Sequence, residues 1–198
     1  MKSGQVGLDA SSSLLISLSM SFLSSATGQR FQEAVIEMFA ARERAELLRV
    51  IAKRTRELTR ADGITIVIRE GGECFYADED GIAPLWRGQR FPLGNCVSGW
   101  AMLENQRAII PDVMDDPRVP RAVYRPTFVR SMAMIPIGRE PFAALGAYWA
   151  TRTHPTQEVL DLLDAIAGIA AVVFPAADTI SGSRPRVAGD PSATTAGG

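Results

Sequence analysis

The sequence predicts an α+β domain, an α/β sandwich in which one antiparallel sheet carries the N- and C-terminal helices on one face. Three observations predict it. A stretch free of Gly and Pro, from Phe31 to Thr59, has apolar residues at helical spacing. Several β-branched or apolar runs then follow one another across short turns, which favours neighbouring antiparallel strands. A second broad apolar stripe closes the domain after Pro155. With 198 residues, of which 46% are hydrophobic, the chain supplies one core and short tails, and is too small for two full domains.

The first helix is read as continuous over Phe31 to Thr59, with Phe31, Val35, Met38, Ala45, Leu48, Ala52, Thr55 and Leu58 in a near-heptad stripe. At 1.5 Å per residue it would exceed about 40 Å, more than one sheet face needs, so its first part is expected to project and pair with another helix. Asp62-Gly63 ends it, and Ile64 to Ile68 is a β-branched strand. Gly71-Gly72 turns that strand into a second, Glu73 to Ala77, as a hairpin. Asp78 to Pro84 is polar and turn-rich, Arg90 to Leu93 is a short extended piece, and Val97 to Glu104 is a short helix. Arg107 to Ile110 is a strand closed by Pro111. Asp112 to Thr127 mixes prolines with charges and reads as a long functional loop. Strands Arg130 to Ile137 and Phe142 to Thr151 follow, then a helix opened by Pro155-Thr156 and ended at Pro175.

Composition narrows function. The 21 basic and 22 acidic residues leave a net charge of -1, so no overall field draws the chain to nucleic acid or to an acidic membrane. No segment reaches the roughly 20 continuous apolar residues of a membrane-spanning helix. Two cysteines, Cys74 and Cys96, are too few for a disulfide framework and fit a reducing compartment; with the lone His154 they do not assemble a four-ligand zinc site. Residues 1–30 read as a disordered leader or as sequence upstream of a later start, since Asp9 and the alternating serines between Leu14 and Leu23 argue against a secretory signal. The expected division is therefore leader 1–30, projecting helix 31–44, domain 45–174 and disordered tail 175–198, in a cytoplasmic protein.

Four stretches carry a family resemblance: Phe91-Pro92-Leu93-Gly94 leading to Ser98-Gly99-Trp100-Ala101; Ile109 to Val113 with Asp115-Asp116-Pro117-Arg118; Tyr124 to Phe128 running into Ser131 to Ile137; and Leu145 to Trp149 before the last helix. Over Ala45 to Phe174 the chain resembles a GAF domain, the sensing module of phytochromes, bacterial histidine kinases and cyclic-nucleotide phosphodiesterases, and is most similar to those of sensor histidine kinases. The resemblance implies a sheet with the terminal helices on one face and a loop-covered pocket on the other. It also implies a pocket built from Cys96, Trp100, Asp112, Arg118, Tyr124, Phe128, Met132 and Met134, beneath the 112–127 loop, for an unidentified small molecule.

The family's other chemistries are tested by residues. In the free methionine-sulfoxide reductases a catalytic cysteine occupies what is here Ser98, and the 112–127 loop has no cysteine, so an enzyme is not expected. Covalent bilin attachment by the phytochrome route needs a Cys-His pair where Val119 to Tyr124 stands. Haem needs an axial ligand, and His154 sits in a turn beside Pro155; the cofactor is thus unknown. Cys96 opens a short helix whose dipole lowers a thiol pKa, although a free cysteine there also reads as a small buried apolar residue, the reading taken. Arg118, Arg121 and Arg125 share a face if the loop turns helical, either to hold an anion or as a solvated face balanced by Asp112, Asp115 and Asp116. The expected role is a stand-alone regulatory sensor in signal transduction, dimerising through its terminal helices, with a sensor kinase or response regulator as partner. The alternatives are a ligand-free interaction module docking on such a protein, and a thiol redox sensor or enzyme using Cys96.

Overall fold

The computed structural model describes residues 25–182, and the side chains of 25–175. Helices α1 (Ala26–Ala40) and α2 (Arg44–Thr59) precede strands β1 (Gly63–Glu70), β2 (Glu73–Gly81) and β3 (Arg90–Pro92). A 3-10 turn at Leu93–Asn95 leads into α3 (Val97–Glu104), β4 (Ala108–Ile110), the single turn α4 (Arg121–Tyr124), β5 (Ser131–Ile137), β6 (Ala143–Trp149) and α5 (Gln157–Gly182). The strands form one sheet in the order β3-β2-β1-β6-β5-β4, with every neighbour antiparallel.

Period-two alternation divides the core into two layers. Ile64, Ile66 and Ile68 of β1, Ala133 and Ile135 of β5, and Leu145 of β6 face α1, α2 and α5. Val67, Met132, Met134 and Tyr148 face the opposite way, towards α3 and the loop between β4 and β5. The expected sandwich is thus observed, with α3 joining the loop on the second face. The β1–β2 hairpin closes in two residues, Gly71-Gly72, and the positive φ of 59° falls on Gly71, the first central position, as in a II′ turn.

The structure differs from the sequence reading in several elements. The helix expected to run unbroken through Phe31 to Thr59 breaks at Ala41-Arg42-Glu43, where Ala41 and Glu43 are extended. Residues 31–44 do not project; α1 packs on α2 and α5 with Ala34 and Met38 only 1% exposed, and Glu37 takes the Arg54 guanidinium. A straight helix would have left that stripe in water, and burying one such side chain is worth about 2 kcal/mol. The leader expected to reach residue 30 gives way to helix at Ala26, where Ser25 Oγ caps the first turn by accepting from Gly28 N at 3.0 Å. The last helix continues through Pro175 to Gly182 although proline removes one helical hydrogen bond; buried Val173 and Phe174 anchor the preceding turn. The reading of residues 1–24 and 183–198 lies outside the described residues.

β2 also outruns its expected end. It carries Asp78, Glu79 and Asp80 through a bulge, in which Ala77 is the extra residue, because each has a fixed partner despite the weak strand preference of acidic residues. Asp78 pairs with Arg87 at 2.9 Å, and Asp80 with Arg56 at 3.3 Å. Among the described residues no helix is long and apolar enough to cross a membrane.

One buried hydroxyl lacks a partner. Thr55 Oγ1 in α2 is the single fully buried side-chain polar atom, among the described residues, with no hydrogen bond. Thr55→Val keeps the shape and removes the orphaned group, so it is expected to stabilise the domain by about 1 kcal/mol. Urea titration should show a higher midpoint at an unchanged slope; a lower midpoint would contradict the assignment.

Candidate functional site

The face opposite the terminal helices is built around Trp86, which sits in the irregular loop between β2 and β3. Its placement comes from Glu79: one carboxylate oxygen accepts the Leu85 N–H at 2.9 Å, and the other accepts those of Trp86 and Arg87 at 2.8 and 2.9 Å. The indole thereby reaches the sheet, with ring centroids 5.5 Å from Tyr76, 4.8 Å from Tyr124 and 5.6 Å from Tyr148, each edge-on. The sequence reading missed both Trp86 and Glu79. The apolar run Ile82 to Trp86, interrupting a turn-rich stretch, was the available signal.

This aromatic group occupies the space beneath the loop. Tyr124 closes the α4 turn and is buried against Met132, its hydroxyl 3.9 Å from Met132 Sδ; Met132 and Met134 are fully buried. The Tyr148 and Thr65 hydroxyls lie 3.0 Å apart, and those of Tyr76 and Ser98 3.4 Å apart. Burial, and then the neighbouring phenols for Tyr76 and Tyr124, raise all three tyrosines well above the ordinary phenol range; for Tyr148 a hydrogen bond with Thr65 opposes burial.

Of the eight expected pocket residues, three line one cleft. Cys96, Trp100 and Arg118 border an opening of about 410 Å3 together with Gly94, Asn95 and Pro117 to Pro120. Arg118 lies over the Trp100 ring at 4.5 Å and is held by Asp116, whose Oδ2 accepts from Nη2 at 2.6 Å. That bond keeps the Asp116 carboxyl below, and the Arg118 guanidinium above, their usual ranges. Tyr124, Met132 and Met134 form the core behind the cleft. Asp112 stands apart, accepting from Met114 N at 2.9 Å and from Arg152 Nε at 2.6 Å. Phe128 packs against the Cα of Gly63, where a Cβ would lie 2.9 Å from its ring. Arg121 and Arg125 are exposed on a single turn and do not join Arg118.

Cys96 is the N-cap of α3. Its Sγ accepts from Gly99 N at 3.4 Å and from the Ser98 hydroxyl at 3.3 Å. Cys74 on β2 is completely buried in the same core cluster as Cys96, and both thiols are free. The neighbouring Cys74, the Ser98 hydroxyl and the Gly99 amide hold the Cys96 thiol below its ordinary value, against the effect of burial, whereas the neighbouring Cys96 and burial push Cys74 well up. Among the described residues no cluster of His, Cys, Asp and Glu has the arrangement of a metal site.

The family model described as GAF domain matches residues 41–174. The fold is similar to the GAF domain of a phosphoenolpyruvate-protein phosphotransferase from Coxiella burnetii, with TM-score 0.70 and 18% identity over 79% of this chain and 96% of that one. The corresponding domain from Acinetobacter gives TM-score 0.69 and 12% identity over 80% and 99%. Free methionine-R-sulfoxide reductase from Neisseria meningitidis, solved in complex with its substrate, gives TM-score 0.64 and 19% identity over 78% and 95%. Curated protein sequences give no match.

Proposed function

We propose a regulatory role for this chain, which belongs to the GAF domain family: it takes a small molecule at the loop-side cleft and passes the signal through its terminal helices to a second copy. The observation that carries the reading is the cleft itself, where the Trp100 ring of α3 and the Arg118 guanidinium of the β4–β5 loop form a stacked wall. An aromatic face backed by a fixed cation suits a planar, polar or anionic ligand. The helical layer supplies the output, because Ile36 and Phe39 on α1 and Val172 on α5 are 67%, 60% and 63% exposed, apolar side chains that a partner would cover. The reading assigns no catalytic turnover. In that role a sensor kinase or response regulator is the expected downstream protein.

Native mass spectrometry of gently purified protein tests the input. An added mass that disappears in the Trp100→Ala, Arg118→Ala double variant supports it. A bare chain instead favours the second reading, a ligand-free interaction module, which has its own support in the interior filled by Trp86, Tyr124 and Tyr148. Light scattering tests the output: a dimer is expected, and a monomer once Ile36 and Phe39 are both changed to Glu. A wild-type monomer would remove helix-mediated dimerisation.

A further inference from the structure

We propose that Cys74 and Cys96 are a redox pair, in which Cys96 reduces a hydroperoxide at the cleft and Cys74 resolves it as a reversible intramolecular disulfide. The inference is independent of any small-molecule ligand at the cleft.

Three features of placement carry it. The chain has only these two cysteines, and the fold puts them side by side from different elements: Cys74 pairs with Phe91 across β2 and β3, and the 3-10 turn after β3 returns Cys96 beneath β2. Both residues belong to one buried cluster and each perturbs the ionisation of the other, so the thiols are neighbours that side-chain movement can bring to the roughly 2.05 Å of a disulfide bond. Their positions differ in the way the two roles require. Both are buried, but Cys74 is sealed at 0% exposure and lines no cleft, whereas Cys96, at 6%, borders the cleft and is the sulfur nearer to an incoming oxidant.

The polar groups around Cys96 fit the attacking role. The Ser98 hydroxyl and the Gly99 amide at the start of α3 both donate to its sulfur, so the negative charge of a thiolate has two donors in place. The Cys96 thiolate attacks one oxygen of the hydroperoxide; the O–O bond breaks, the departing oxygen takes a proton as water or an alcohol, and the sulfur becomes a sulfenic acid. The Cys74 sulfur then attacks that sulfenic sulfur, its proton leaves with the hydroxyl as water, and the S–S bond forms. Two thiols have lost two electrons and the peroxide has gained them. A dithiol reductant reverses the change by exchange.

The disulfide also has a structural consequence. Drawing the Cys96 sulfur towards β2 takes it from the Ser98 hydroxyl and the Gly99 amide, which uncaps α3 one turn from Trp100, the wall on which Arg118 rests.

Exposure of the full chain to hydrogen peroxide, followed by intact-mass and peptide analysis without reductant, tests the proposal. The expected product has lost two hydrogens, links the peptides of Cys74 and Cys96, and returns to two thiols with dithiothreitol. In Cys74→Ser, dimedone should trap a sulfenic acid on Cys96, and Cys96→Ser should leave Cys74 unmodified under the same treatment. A second measurement needs no variant: iodoacetamide on the native wild type near neutral pH should modify Cys96 at least about tenfold faster than Cys74. Two unchanged thiols after peroxide, disulfides formed only between chains, or equal alkylation of both cysteines would each overturn it.

Discussion

Raising the pH above about 10 is expected to unfold this domain abruptly. Its three tyrosines, Tyr76, Tyr124 and Tyr148, are all buried and their ionisation is suppressed in the fold. In the unfolded chain each phenol ionises near its ordinary value of about 10. Above that pH the unfolded state binds fewer protons than the folded state, so stability falls as pH rises. It is fully present below about 10. Each tyrosine contributes a slope of about 1.4 kcal/mol per pH unit, and three acting together remove about 4 kcal/mol per unit. A domain with ordinary stability of 5–15 kcal/mol withstands only a few such units. Tyrosinate absorbance followed against pH should stay flat past 10 and then rise in one step together with loss of the circular dichroism signal. A gradual titration centred near 10, with the fold intact, would show that the three phenols reach water.

Gly99→Ala is expected to remove more than about 4 kcal/mol, in the range that marks a direct backbone clash. A Cβ at Gly99 would stand 1.7 Å from the Leu93 carbonyl oxygen and 2.6 Å from its carbon. Leu93 has little room to yield, because its own N–H donates to Gly72 O at 2.8 Å and ties the 3-10 turn to the β1–β2 hairpin. Relief would have to lift α3 from the sheet, exposing Val97, Ala101 and Met102. For a domain of this size each kcal/mol moves the melting temperature by about 2–4 °C, so the variant should melt at least about 10 °C lower or fail to accumulate. A melting point within a few degrees of wild type would refute the close packing of α3 on Leu93.

The legible parts of this fold were those in which local chemistry and tertiary demand agree. The Gly71-Gly72 turn, the β-branched run of β1 and the short helix at Val97–Glu104 all appear where the residues put them. The break at Ala41 to Glu43 was not legible because no Gly or Pro marks it; it lets α1 fold back so that Met38 and Ala34 are buried against α2 and the distant α5. The extension of β2 through three acidic residues was hidden for a related reason, since their ion-pair partners Arg56 and Arg87 and the loop that Glu79 holds become neighbours only after folding. At the site, Cys96, Trp100 and Arg118 could be grouped by family resemblance. The pairing of Cys74 with Cys96 depends on the β2–β3 register, which a hydropathy pattern does not encode.

The two outermost strands, β3 and β4, are three residues long, and β3 ends in Pro92, which has no N–H to offer. Short edges with a missing donor leave little unpaired ladder for another chain to extend. Backbone pairing at the tips of these two edges therefore gains few hydrogen bonds. A contact made at β3 or β4 would rest on side chains more than on shared backbone hydrogen bonding.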